Sequence, residues 1–122
     1  MSKSSRSPKS DPRRALGARG EALAAAWYEQ RGFTVVARNW RRREGEIDLI
    51  VRSERLLVFC EVKARSSDRF GAPFEAVTRT KQLRLRRLAS LWLAEHAVRA
   101  ADLRFDVASV SGTHVDVIEA AF

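Results

Sequence analysis

"GEIDLIVRSERLLVFCEVK", Gly45 to Lys63, decides how this chain folds. Two apolar runs, IDLIV and LLVFC, flank a short polar segment, which is the pattern of a β-hairpin. Side chains alternate across a strand, so Glu46, Asp48 and Ile50 are expected on one face and Ile47, Leu49 and Val51 on the other. On the second strand Phe59, Glu61 and Lys63 alternate with Val58, Cys60 and Val62. A two-residue turn at Ser53–Glu54 sets Glu46 opposite Glu61 and Asp48 opposite Phe59, with every polar group on one side. A shift of one residue would separate them.

Three acids and a lysine on such apolar strands need a physical reason. In this register the Cβ atoms of Glu46 and Glu61 stand about 4.5–5.5 Å apart, with Asp48 in diagonal reach. Like charges directly opposite each other destabilise a sheet, and a covering helix raises the cost. A proton or a cation relieves it. Carboxylate oxygens suit hard ions such as Mg²⁺, which takes a few carboxylates together with waters and phosphate oxygens. The face is therefore expected to be a metal site with a lysine beside it. A solvated strand face is the plain alternative. Two features weigh against it. Apolar positions are dense on both strands, as in a sheet covered on both sides. Residues 15–122 also hold sixteen Arg but only two Lys, Lys63 and Lys81. A compact ammonium acts as a point charge or sheds its proton when desolvated, whereas guanidinium stays protonated.

Working outward, the 122 residues suffice for one domain with one core. Residues 1–14 are basic, polar and Pro-containing, and are expected to be a disordered tail; residues 15–122 form the domain. Leu16–Arg31 has helical periodicity, with Leu23, Ala26 and Trp27 on one face and Gly32 as its stop. Phe33–Arg38 is a first strand, and the hairpin strands lie near Glu46–Arg52 and Leu56–Ala64. Arg65–Pro73 is a loop, and a long helix from about Thr80 to Val98 turns Leu85, Leu88, Leu91 and Trp92 inward. RFDVASV and HVDVIEA close the chain as two strands turned at Ser111–Gly112. The order αβββαββ predicts an α/β sandwich with a mixed sheet.

No apolar run approaches the roughly 20 residues of a membrane span, and the first residues lack the apolar core of a secretory signal. Cys60 is the only cysteine, and His96 and His114 are scattered, which fits a reducing cytoplasm and disfavours a thiol or histidine metal site. Cys60 and the three tryptophans, Trp27, Trp40 and Trp92, are expected as packing residues. The net charge of +8 is carried by the tail and by the middle of the domain. Such asymmetry suits a polyanionic partner, most simply nucleic acid. Arg41, Arg42, Arg43, Lys81, Arg84 and Arg87 are the candidate phosphate contacts.

The spacing of Asp48 and Glu61-Val62-Lys63 resembles the D…(D/E)-x-K signature of the PD-(D/E)xK nuclease superfamily. More closely, "GARGEALAAAWYEQRGF", "ARNWRRREGEIDLI", "VFCEVKAR", "EAVTRTKQ" and "RFDV" resemble the YraN-like family of small bacterial proteins, related in fold to archaeal Holliday-junction resolvases. The resemblance covers Leu16 to Phe122 and implies a restriction-endonuclease-like α/β/α sandwich around a central mixed sheet. It implies Mg²⁺ (or Mn²⁺) held by Asp48, Glu61 and the Val62 carbonyl. Lys63 matches the lysine that orients or deprotonates the attacking water, Glu21 the acid contributed by the first helix, and Gln82 a polar helix residue near the site. The implied activity is metal-dependent endonucleolytic cleavage of DNA, branched DNA included, with a homodimer matching a two-fold junction. A catalytically silent nucleic-acid-binding module of the same fold is the alternative, and the choice of DNA over RNA stays open. The proline that names the superfamily is absent, with Ile47 in its place.

Overall fold

The computed structural model describes residues 12–65, 77–99 and 102–122. In chain order the elements are α1 (Pro12–Glu29), β1 (Thr34–Arg42), β2 (Gly45–Ser53), β3 (Leu56–Arg65), α2 (Arg79–His96), β4 (Asp102–Ser111) and β5 (His114–Ile118). This is the expected αβββαββ order. The helix begins at Pro12, so residues 12–14 belong to α1 rather than to the basic tail. Proline suits a first helical turn because its missing N–H has no partner there. The rest of the tail and the 66–73 part of the expected loop lie outside the described residues.

The strands form one mixed sheet in sequence order, β1-β2-β3-β4-β5. All neighbours are antiparallel except β3 and β4, which run parallel, as the crossover through α2 permits. The helices cover opposite faces. Ile47, Ile50, Leu57, Phe59 and Phe105 pack on Leu85, Leu88, Ala89 and Trp92 of α2. Leu49, Val51, Val58, Cys60 and Ala108 pack on Ala24, Ala25 and Tyr28 of α1. A sheet covered on both sides explains the dense apolar runs in β2 and β3, and the arrangement is consistent with a restriction-endonuclease-like sandwich.

Details depart from the sequence expectation. The buried face of α1 is Gly20, Ala24, Ala25 and Tyr28, while Leu23, Ala26 and Trp27 are only half-buried. Small residues let the helix come close: a Cβ on Gly20 would stand 2.7 Å from the Ala64 Cβ of β3. Gly32 stops α1 as expected. At φ +90 it lets the Phe33 N–H reach the Tyr28 carbonyl at 3.1 Å, a Schellman closure. On α2 the buried residues are Leu85, Leu88, Ala89 and Trp92, with Leu91 half-buried. β1 runs past its expected end at Arg38 and takes in Arg41 and Arg42, so only Arg43 of the arginine run lies in the turn.

A buried polar knot ties α1 to the end of the chain. Asp106, fully buried on β4, accepts the Tyr28 hydroxyl at 2.6 Å and the Ala120 N–H at 3.0 Å. Two nitrogens of Arg104 donate to it at 2.9 and 3.0 Å. Every carboxylate lone pair is engaged, which is what makes a buried charge tolerable.

Candidate functional site

The hairpin turn is Glu54–Arg55, with Glu54 at φ 53, one residue later than expected. The register therefore moves by two: Leu49 pairs with Cys60 and Ser53 with Leu56. Glu46 is not opposite Glu61, nor Asp48 opposite Phe59. A shift of two keeps the side-chain parity and brings Asp48 and Glu61 to corresponding positions one step past the last ladder pair, Leu49–Cys60. Glu46 instead pairs across β1–β2 with Arg41 and forms an ion pair of 2.8 Å with it.

The β2–β3 ladder stops at Leu49–Cys60, while β3 continues beside β4 as far as Arg65. Beyond this point the Val62 N–H donates to Asp48 Oδ2 at 2.8 Å, a side-chain carboxylate taking the place of a strand carbonyl. Strict alternation also fails here. Ile47 and Ile50, three residues apart, join the same core cluster. Asp48 therefore sits at a local break in the sheet, buried against its own strand pair.

The neighbours of Asp48 are acidic. Burial, then the charge of Glu61, pushes its carboxyl up to about 7, with Glu21 and Glu46 adding to the rise and the Val62 N–H opposing it. Glu61 is equally buried, at 8 % exposure for each residue. Glu21 approaches from α1, half-buried, with its carboxyl raised chiefly by burial and held down by a hydrogen bond from Asn39. Asn39 adopts φ 51, in the left-handed region that Asn tolerates better than most residues. Sequence reading ended β1 at Arg38 and missed it; the Asn itself was the available signal.

A cleft of about 270 Å³ opens over the pair, bordered by Gly45, Glu46, Lys81, Arg84 and Leu85. Gly45, at φ +147, lets α2 lie close: a Cβ there would stand 3.2 Å from the Arg84 side chain. Lys81 Nζ contacts Glu61 Oε2 at 2.5 Å. Expected only as a phosphate contact, it is a partner of the acidic pair. Lys63 is half-buried on the Glu61 side of β3 by alternation and pairs in register with Ser109. Gln82 donates its amide to the Val77 carbonyl at 2.9 Å at the start of α2 and is not among the residues that border the cleft.

The arginines divide. Arg84 lines the cleft, and Arg87 and Arg43 are exposed. Arg42 is engaged elsewhere, in a two-nitrogen pair with Glu95 and against the Trp40 ring at 4.4 Å. Trp92 and Cys60 are buried, and Trp27 and Trp40 half-buried. Among the described residues no group of three or more His, Cys, Asp or Glu is placed to hold a metal ion. Two carboxylates from adjacent strands do meet, and the strand break keeps them from the pairing that would otherwise cover them. Among the described residues no helix is long and apolar enough to cross a membrane.

Residues 20–110 match the model of the uncharacterised protein family UPF0102. A UPF0102 protein of Beutenbergia cavernae is 56 % identical over 99 residues, covering 81 % of this chain and 84 % of the relative. One from Nocardia farcinica is 52 % identical over 109 residues, with 88 % and 86 % covered. One from Acidothermus cellulolyticus is 42 % identical over 125 residues, with 90 % and 95 % covered.

Proposed function

We propose, from the premise that this chain belongs to the uncharacterised protein family UPF0102, that it is a metal-dependent endonuclease acting on DNA phosphodiesters. One observation carries the reading: two buried carboxylates, Asp48 and Glu61, meet under a cleft whose other wall carries Lys81 and Arg84. Two desolvated like charges that line one cleft, with the charge of Glu61 raising the Asp48 carboxyl, favour a proton or a cation between them. The donor set fits a hard divalent ion such as Mg²⁺ or Mn²⁺, since carboxylate oxygens are its preferred protein ligands and Lys81 already places positive charge on Glu61. Asp48 and Glu61 would hold it, with the Val62 carbonyl as a further oxygen. When bound, such an ion polarises a phosphoryl oxygen and acidifies a coordinated water.

The chain's own groups have separate tasks. The Val62 N–H fixes the Asp48 carboxylate in place. Arg84, and Arg87 further along α2, attract and align the phosphate backbone. Lys63, on the Glu61 side of β3, assists water attack by its charge or by proton transfer. Glu21, oriented by Asn39, adds a carboxylate from the opposite helix. The test is Mg²⁺- and Mn²⁺-dependent cleavage of linear, flap and four-way DNA, with Asp48→Ala and Glu61→Ala as controls. Cleavage by the wild type and its loss in both variants is the expected result.

A second reading is supported by the Lys81–Glu61 contact, which neutralises half of the acidic pair without any metal. On that reading the chain is a catalytically silent nucleic-acid-binding module. Binding without cleavage on every substrate and with either metal would favour it.

A further inference from the structure

Among the cations of the described residues Lys81 stands apart by its position. It lies in the first turn of α2, where Thr78 caps the helix and its Oγ1 accepts the Lys81 N–H at 3.1 Å. A helix N-terminus is the positive end of the macrodipole and disfavours a cation; this first turn holds no acid to offset it. The offset comes from across the cleft, where Glu61 Oε2 lies 2.5 Å from Lys81 Nζ. The two side chains differ in freedom, Lys81 at 39 % exposure and Glu61 at 9 %. The lysine is the partner able to leave. Its backbone is fixed by the cap, so movement is confined to the four-carbon side chain. Arg84, one turn on, borders the same cleft. Lys81 and Lys63 are also the only lysines of residues 15–122, and both lie on β3's acidic side or against it.

We propose that Lys81 is a built-in counter-ion of the site: in the free protein its ammonium occupies the position a divalent cation takes at Glu61, and it transfers to a phosphate oxygen when nucleic acid enters. This deepens the nuclease reading and rests on it. The lysine keeps the free protein's site weak for metal and couples metal entry to arrival of the phosphodiester. Cation and phosphate then bind together. A point charge on a flexible stem suits this exchange better than a guanidinium fork, which would hold the carboxylate in two-point contact.

The experiment is calorimetric titration of Mn²⁺ into wild type, Lys81→Gln and Lys81→Arg without nucleic acid, and again with a short DNA duplex in Ca²⁺ buffer to measure DNA affinity. Lys81→Gln should bind Mn²⁺ roughly tenfold more tightly than wild type, the scale of one charge-assisted contact. Its DNA affinity should fall several-fold. Lys81→Arg, which retains the charge, should not show the Mn²⁺ gain. A merely structural lysine would leave Mn²⁺ affinity unchanged in Lys81→Gln, and that result overturns the counter-ion role while leaving the metal site standing. If Lys81→Gln binds no Mn²⁺ without nucleic acid, the counter-ion role falls; the metal-dependent reading falls separately, if wild type shows no Mg²⁺- or Mn²⁺-dependent cleavage.

Discussion

Asn39 and Asp48 stand opposite each other across β1 and β2 without forming a ladder pair: the pairs on either side are Arg38–Leu49 and Trp40–Ile47. One lies in the left-handed region, the other takes a strand N–H on its side chain. The interruption explains how groups from both helical layers converge. Glu21, from the α1 side, and Lys81, from the α2 side, both act on one acidic pair. In an uninterrupted sheet the two layers would be sealed from each other.

Neutralising Asp48 should stabilise the protein in a pH-dependent way. Its folded value, about 7, lies above the ordinary 3.8, so the native state binds the proton more tightly than the unfolded chain. The contribution is fully present below the unfolded value and is lost as pH rises through the folded one. Asp48→Asn removes that loss, and its amide oxygen still accepts the Val62 N–H. In chelator, the variant should be more stable than wild type above about pH 7, by on the order of 4 kcal/mol, with the difference vanishing towards about pH 4. Parallel melting curves across the whole range would show that Asp48 is not desolvated in this way.

Asn39→Gly separates conformation from chemistry. Glycine keeps φ 51 without strain, but the donor to Glu21 is gone. Because that hydrogen bond lowers the Glu21 carboxyl, its loss should raise the value further. Carbon-detected NMR titration of Glu21 reads this directly; an unmoved titration would mean that Asn39 does not hold the carboxylate.

Gly20→Ala should destabilise the fold by about 1–3 kcal/mol, since overpacking forces backbone movement. The added methyl meets the Ala64 Cβ, which cannot rotate away. Urea denaturation measures it, and the paired change Gly20→Ala with Ala64→Gly should recover part of the loss. Equal destabilisation in the double variant would place the strain elsewhere.

Salt dependence distinguishes the arginines. If Arg84 and Arg87 contact phosphates, replacing each by Ala should reduce the slope of log affinity against log salt by about 1. Arg42→Ala should leave the slope nearly unchanged and cost stability instead, because its guanidinium is held by Glu95 and Trp40. A reduced slope for Arg42→Ala alone would reverse this assignment.

Lys63→Arg should lose cleavage by about 10²–10⁴-fold, the contribution of a positioned acid–base group, with DNA affinity retained. Charge is conserved in this swap; cation shape and the capacity to release a proton are not. Equal cleavage by variant and wild type would remove Lys63 from the chemistry.

The two-sided sheet and the element order were legible because apolar density and alternation are strong local signals; alternation put the acids on one face but set Glu46, rather than Asp48, against Glu61. The hairpin turn was misplaced by one residue because Glu54 carries none of the usual marks of a left-handed turn residue. The error moved the register by two and so left the acids on their expected side. On α1, sequence reading favoured the bulky Leu23 and Trp27, whereas close packing selects the small Gly20 and Ala24. The Lys81–Glu61 contact joins residues twenty apart across a parallel crossover, a distance no periodicity reports.

The parallel β3–β4 pair also sets the order in which the site is assembled. Asp48 and Glu61 belong to one hairpin closed by a two-residue turn. Leu56 must find Asp102 across the whole crossover. Closing the short loop costs less chain entropy than closing the long one, so local pairing is expected to precede the crossover during folding. On that order the hairpin would bring the two carboxylates near each other while the chain is still open to water, where their repulsion is screened. Lys81 would then arrive with α2, at the step that narrows the acids' access to solvent to the cleft.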